Sequence, residues 1–64
     1  MKIILPDQST RVMPQCPGTV EALLLALGIN PLEVIVSRNG TLVPEHTVIL
    51  ETDEIRIIRI AHGG

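Results

Sequence analysis

An α+β fold, with one helix packed on one face of a mixed sheet of four to five strands, is what this sequence predicts. Three observations predict it. Val20, Leu23, Leu24 and Leu27 recur at i, i+3, i+4 and i+7, the clearest helical stripe in the chain. β-Branched and apolar runs lie on both sides of that stripe, at residues 2–5 and 10–13 before it and at 33–38, 41–43 and 54–60 after it. Turn residues separate the runs: Pro6-Asp7-Gln8-Ser9, Asn39-Gly40 and Glu51-Thr52-Asp53-Glu54. A single helix covers a single sheet face, so the other face stays open.

Residues 2–5 form a short strand closed by Pro6, and residues 10–13 pair back on it as a hairpin before Pro14. The connector Pro14-Gln15-Cys16-Pro17-Gly18 holds two prolines, so strand pairing ends there. Thr19 is the expected N-cap, and Glu21 complements the positive end of the helix dipole. Ala22 stands where a capping box would need Glu or Gln. Gly28 is the expected stop, and Asn30-Pro31 confirms that the helix is over.

In residues 33–38, Val34 and Val36 point to the helix while Ile35 and Ser37 face the other way. Asn39-Gly40 is a tight-turn signal that returns residues 41–43 as a short strand limited by Pro44. Residues 45–50 read as an irregular loop whose Val48 and Ile49 drop an anchor into the core. In the last strand Ile55 and Ile57 join the helix-facing core. Arg56 and Ile58 point outward, with Ile60 following them at the rim.

Sixty-four residues make one small domain, burying roughly 60% of the surface its unfolded chain exposes. With 45% hydrophobic and 19% charged residues, the composition is that of an ordered chain. Aromatic residues are absent, so the core is packed from Ile, Val, Leu, Ala and Met. Their absence, with a net charge of −2 and no Lys/Arg cluster, argues against nucleic-acid binding. The apolar stretch 22–27 is far short of a membrane span, and residues 2–5 are too short for a signal peptide. A cytoplasmic protein that binds neither nucleic acid nor membrane is expected.

The final strand leads through Ala61 and His62 to Gly63-Gly64. The domain therefore reads as residues 1–60, with 61–64 as a flexible tail. Glycines lack Cβ atoms, so such a tail fits a channel that larger residues would block. A bare terminal carboxylate also suits activation by another protein, and the Gly64 carboxylate is expected to be the chemical group. A merely frayed end is the other reading of the same residues.

The order of elements, the Asn39-Gly40 turn followed by Leu42-Val43-Pro44, the Asp53-Glu54-Ile55 start of the last strand and the closing Gly63-Gly64 resemble the ThiS/MoaD sulfur carriers. These are β-grasp, ubiquitin-like proteins, and the archaeal ubiquitin-like small modifiers share the fold and tail. The resemblance covers nearly the whole chain and is sharpest from Val34 to Gly64. It implies a non-enzymatic carrier that binds no cofactor itself. An E1-like enzyme would adenylate Gly64 with ATP, and sulfur from a persulfide donor would convert the glycyl adenylate to a thiocarboxylate, a 1-thioglycine. A downstream synthase of thiazole, molybdopterin or tRNA thiolation would accept that sulfur. Gly63 would give the slender approach. One departure is Thr52, where the family commonly has a glycine, so a differently shaped turn is expected there.

Other candidates are weaker. Cys16, His46 and His62 have no metal-site spacing, and no metal is expected. Cys16 reads as an inert small hydrophobe, since no base is suggested beside it. His62 and Ala61 are either solvated tail residues or help seat the tail in the activating enzyme. Ile58, Ile35, Arg56 and Ile60 form an outward apolar patch with basic neighbours, read as a docking face for that enzyme, against a dimer contact or second core. Three functions stay open: a sulfur carrier, a ubiquitin-like modifier joined to lysines through Gly64, and a β-grasp interaction module.

Overall fold

Among the described residues, five strands and one α-helix form in the order that the patterning requires. β1 (Lys2–Ile4) and β2 (Thr10–Val12) make a hairpin, α1 (Val20–Ala26) comes next, and β3 (Val34–Arg38), β4 (Thr41–Val43) and β5 (Glu54–Arg59) complete the chain. The structure, a computed structural model, describes residues 1–60. The strand order is β2-β1-β5-β3-β4, with β1 and β5 parallel and the other pairs antiparallel. The last strand in sequence is thus the central strand of the sheet. This is the β-grasp architecture.

The helix is held at both ends. At its start, Val20 and Glu21 N–H donate to the carbonyls of Thr47 and Glu45 at 3.0 and 2.8 Å. Ala22 N–H donates to the Thr19 hydroxyl at 3.2 Å. The orphan donors of the first turn are therefore satisfied by the cap and by the 45–49 loop. At its end, Gly28 takes φ of 74°, which a residue without Cβ adopts freely. Ile29 N–H then reaches the Leu24 carbonyl at 2.9 Å and Gly28 N–H the Leu25 carbonyl at 3.1 Å, a Schellman closure.

The core is apolar and ring-free, with Ile3, Val20, Leu23, Leu24, Val34, Val36, Ile49, Ile55 and Ile57 packed together. Leu27, the last residue of the helical stripe, is only partly buried against it.

Two local expectations need correction, and a third residue is oriented as expected but more enclosed. The third strand begins at Val34, because Pro31–Glu33 forms a 3-10 turn capped by the Asn30 side chain. Of the Val48-Ile49 anchor only Ile49 enters the core, while Val48 is 61% exposed. The reason is a single bridge between Thr19 and Val48, which leaves the side chain of residue 49 to turn inward. Ser37 faces away from the helix but is buried, lying between its cross-strand neighbours Arg56 and Leu42.

Candidate functional site

The candidate site grows out of β5. Alternation along this central strand buries Ile55 and Ile57 and leaves Arg56 and Ile58 on the uncovered face. Register then dictates their neighbours. Ile58 lies directly opposite Ile35 on β3, and Arg56 lies between Ser37 on β3 and Ile4 on β1. Ile58, Ile35 and Ile60 are 39%, 41% and 41% exposed. The sequence pattern groups Ile35, Arg56, Ile58 and Ile60, and pairing and alternation put these residues on one face.

Two further residues extend the face. Ile4 is buried yet stands outside the helix-side core cluster, because it is on the open side of β1. Leu42 on β4, cross-strand from Ser37, is 63% exposed. Neither is legible in the one-dimensional pattern. β1 is next to β5 only because the chain crosses over to make a parallel pair, and that adjacency carries no local signal.

The far end of β5 is tied to the 3-10 turn. Ile60 N–H donates to the Glu33 carbonyl at 2.9 Å, and the Arg59 guanidinium lies 3.8 Å from the Glu33 carboxylate. Both charged groups are well exposed, so the ion pair adds little, and the backbone bond does the anchoring. Ile60 is thereby fixed at the edge of the open face. Ala61, His62, Gly63 and Gly64 come after it and lie outside the described residues.

The near end of β5 is fixed by a polar clamp. The Asp53 carboxylate accepts from Asn39 Nδ2 at 2.9 Å and from Leu50 N–H at 2.8 Å. Asn39 Oδ1 accepts from Glu54 N–H at 2.9 Å. The Leu50 N–H above all, then the Asn39 amide, hold the Asp53 carboxyl below its usual pKa. Asp53 N–H also closes the turn back to the Leu50 carbonyl at 3.0 Å. Thr52 within that turn has no positive φ, so the turn needs no glycine there. In the sequence, residues 51–54 read as a polar turn and Asp53-Glu54-Ile55 as the start of the last strand, with no sign of the clamp to Asn39.

Chemistry-bearing side chains are dispersed. The Cys16 thiol donates to the Ile49 carbonyl at 2.8 Å, and His46 is exposed in the 44–49 loop. Among the described residues no three His, Cys, Asp or Glu side chains group as a metal site. No helix among them is long and apolar enough to cross a membrane. What the arrangement offers is a surface: an apolar strip with one guanidinium in it, beside the point where the last four residues begin.

Comparison with protein families gives a match over residues 3–64 to the one described as the ThiS family. No curated protein matches the chain. The family match takes in the clamp, the open face and the last four residues together.

Proposed function

The chain belongs to the ThiS family of sulfur carriers, matched over residues 3–64, and we propose that it carries sulfur as a thiocarboxylate on Gly64. A carboxylate has no leaving group of its own, so a partner of the E1-like class first converts it to the acyl adenylate with ATP. The terminal sulfur of a persulfide then displaces AMP to give an acyl disulfide. A second thiol cleaves its S–S bond to leave the thiocarboxylate and a disulfide, and the thiocarboxylate passes its sulfur to an acceptor held by a synthase. This chain supplies no acid, base or nucleophile beyond its own carboxyl group. Its part is presentation, and it is not itself an enzyme.

The observation that carries this reading is the family match running through Gly63 and Gly64, with an open apolar face beside the start of the tail. Ile58, Ile35, Ile60 and Arg56 dock the activating enzyme, and Ala61-His62-Gly63-Gly64 enters its catalytic channel. Removal of water from an isoleucine strip drives such docking, and Arg56 gives it orientation.

The test is incubation with the cognate activating enzyme, ATP, a persulfide donor and a thiol reductant, read by intact mass. Replacement of one oxygen by sulfur adds roughly 16 Da, and fragmentation should place that gain on Gly64. A chain lacking Gly63 and Gly64 should fold and gain nothing. Absence of ATP-dependent modification in the full chain would overturn the reading, and a Gly-Gly remnant on lysines of other proteins, without a thiocarboxylate, would replace it with conjugation.

A further inference from the structure

Two asparagines occur in the chain, and they differ in the residue that comes next. Asn30 precedes Pro31, which has no N–H to act as a nucleophile, whereas Asn39 precedes Gly40, the residue least able to hinder attack. Asn39 sits in the β3–β4 turn at φ of 52°, with Gly40 at 88°. Both halves of its side-chain amide are engaged. Nδ2 donates to Asp53 Oδ1, and Oδ1 accepts from Glu54 N–H, each at 2.9 Å. Asp53 is only 7% exposed, and its second oxygen is taken by Leu50 N–H. The position facing Asp53 must therefore be a donor.

We infer that Asn39 is a deamidation site which the native fold holds shut, and that deamidation there loosens the side-chain clamp between the β3–β4 turn and the residues leading into β5. The Asn39 N–H to Glu54 carbonyl bond at 2.9 Å and the β3–β5 pairing remain. In the step, the Gly40 amide nitrogen bonds to Asn39 Cγ, the Cγ–Nδ2 bond breaks, and ammonia leaves carrying the Gly40 proton. Water then opens the succinimide to aspartate or isoaspartate, and the new acid loses its proton to solvent. Water is the only co-reactant. Turning Cγ towards the Gly40 nitrogen requires both amide hydrogen bonds to break, so the reaction proceeds from a locally opened state.

The product is mismatched to its site. A carboxylate at residue 39 would set oxygen against Asp53 Oδ1 where a donor stood. The other charges around the clamp are Glu51 and Glu54 on its own segment, Arg38 on β3 and Lys2 on β1, paired opposite Glu54. Arg38 gives one guanidinium N–H to the Val48 carbonyl at 3.0 Å, and its charge is only the smallest of the effects that lower the Asp53 carboxyl. Two adjacent carboxylates share one proton in acid and repel when both are ionised. The deamidated protein is therefore weakest at neutral pH and recovers as pH falls.

Three proteins and one time course test this. Asn39→Asp should show an unfolding constant raised about ten-fold or more at pH 7, with the gap to wild type narrowing by pH 4. The double variant Asn39→Asp/Asp53→Asn exchanges acceptor for donor and should return close to wild type at pH 7. Wild type held at pH 8 should gain the mass of deamidation at residue 39 at least about ten-fold faster in guanidinium chloride than in buffer. The inference is overturned if Asn39→Asp matches wild type at pH 7, if the double variant is no better than the single, or if native and unfolded chains deamidate at one rate. Should Asn39→Asp not fold, the double variant and the time course decide.

Discussion

Ile57 and Ile58 are neighbours in sequence and opposites in environment, 1% and 39% exposed. Ile57→Asp puts a carboxylate among Ile3, Ile55 and Val36 with no partner, and the domain should lose its cooperative thermal transition. Ile58→Asp puts the same charge in water. It forfeits the cross-strand contact with Ile35 and should cost about 1 kcal/mol or less in chemical denaturation. Equal losses for the two variants would mean that the open face is not open. Asp53 makes the second residue-scale prediction. Its carboxyl is held below the ordinary value of 3.8, first by Leu50 N–H and then by Asn39. The stability it contributes is therefore complete above that value and is lost as pH falls through the lower native pKa. Asp53→Asn, which sets a second donor against Leu50 N–H or Asn39, should be less stable than wild type at pH 7, and the gap should close in acid. Asp7, lowered by the Ser9 hydroxyl, gives a background of the same sign in both proteins.

The helix has only seven residues, too few to persist alone, and exists because its ends and one face are occupied. Thr19→Ala removes the oxygen that Ala22 N–H uses and should cost about 1 kcal/mol in urea unfolding. Leu24→Ala opens a cavity in a core with no aromatic ring to relax into it. A loss of roughly 2–5 kcal/mol is expected, a large share of a small domain's stability. These elements are legible in the sequence because their determinants are local: a stripe of period 3.6, a threonine before it, a glycine after it, and Asn39-Gly40 between two strands. The 3-10 turn at Pro31–Glu33 is less legible, because Asn30-Pro31 serves equally well as a plain helix terminator. Val48 and Ile49 are not told apart in sequence, because a loop has no period from which to choose the inward residue. The Asp53 clamp joins residues 14 and 15 positions apart, beyond the reach of any turn or strand pattern.

At the scale of the whole molecule, the sheet order makes β5 both the centre of the fold and the segment leading to Gly64. On the function proposed above, folding and function would be coupled along one strand yet separable by face and by end. Ile60 N–H to the Glu33 carbonyl is the last backbone bond of the described chain. Removing residues 61–64, which the sequence reads as a tail, should change stability by no more than about 0.5 kcal/mol in chemical denaturation. If the proposed function holds, adenylation by the activating enzyme should nevertheless vanish, because the carboxylate proposed to react is gone. Ile58→Asp should do the converse in part. The tail stays intact, but a charge sits in the middle of the apolar strip of Ile35, Ile60 and Leu42. Desolvating it on docking should weaken binding by roughly 2 kcal/mol or more, the scale of a hot-spot residue. Calorimetry with the activating enzyme separates the two contributions. If the face supplies affinity and the tail supplies chemistry, the truncated chain still binds but is not adenylated. Ile58→Asp is then adenylated at saturating concentration with a raised KM, since it has lost ground-state binding rather than the reacting group. Wild-type binding by Ile58→Asp would remove the open face from the docking surface and leave recognition to the tail or to another side of the domain.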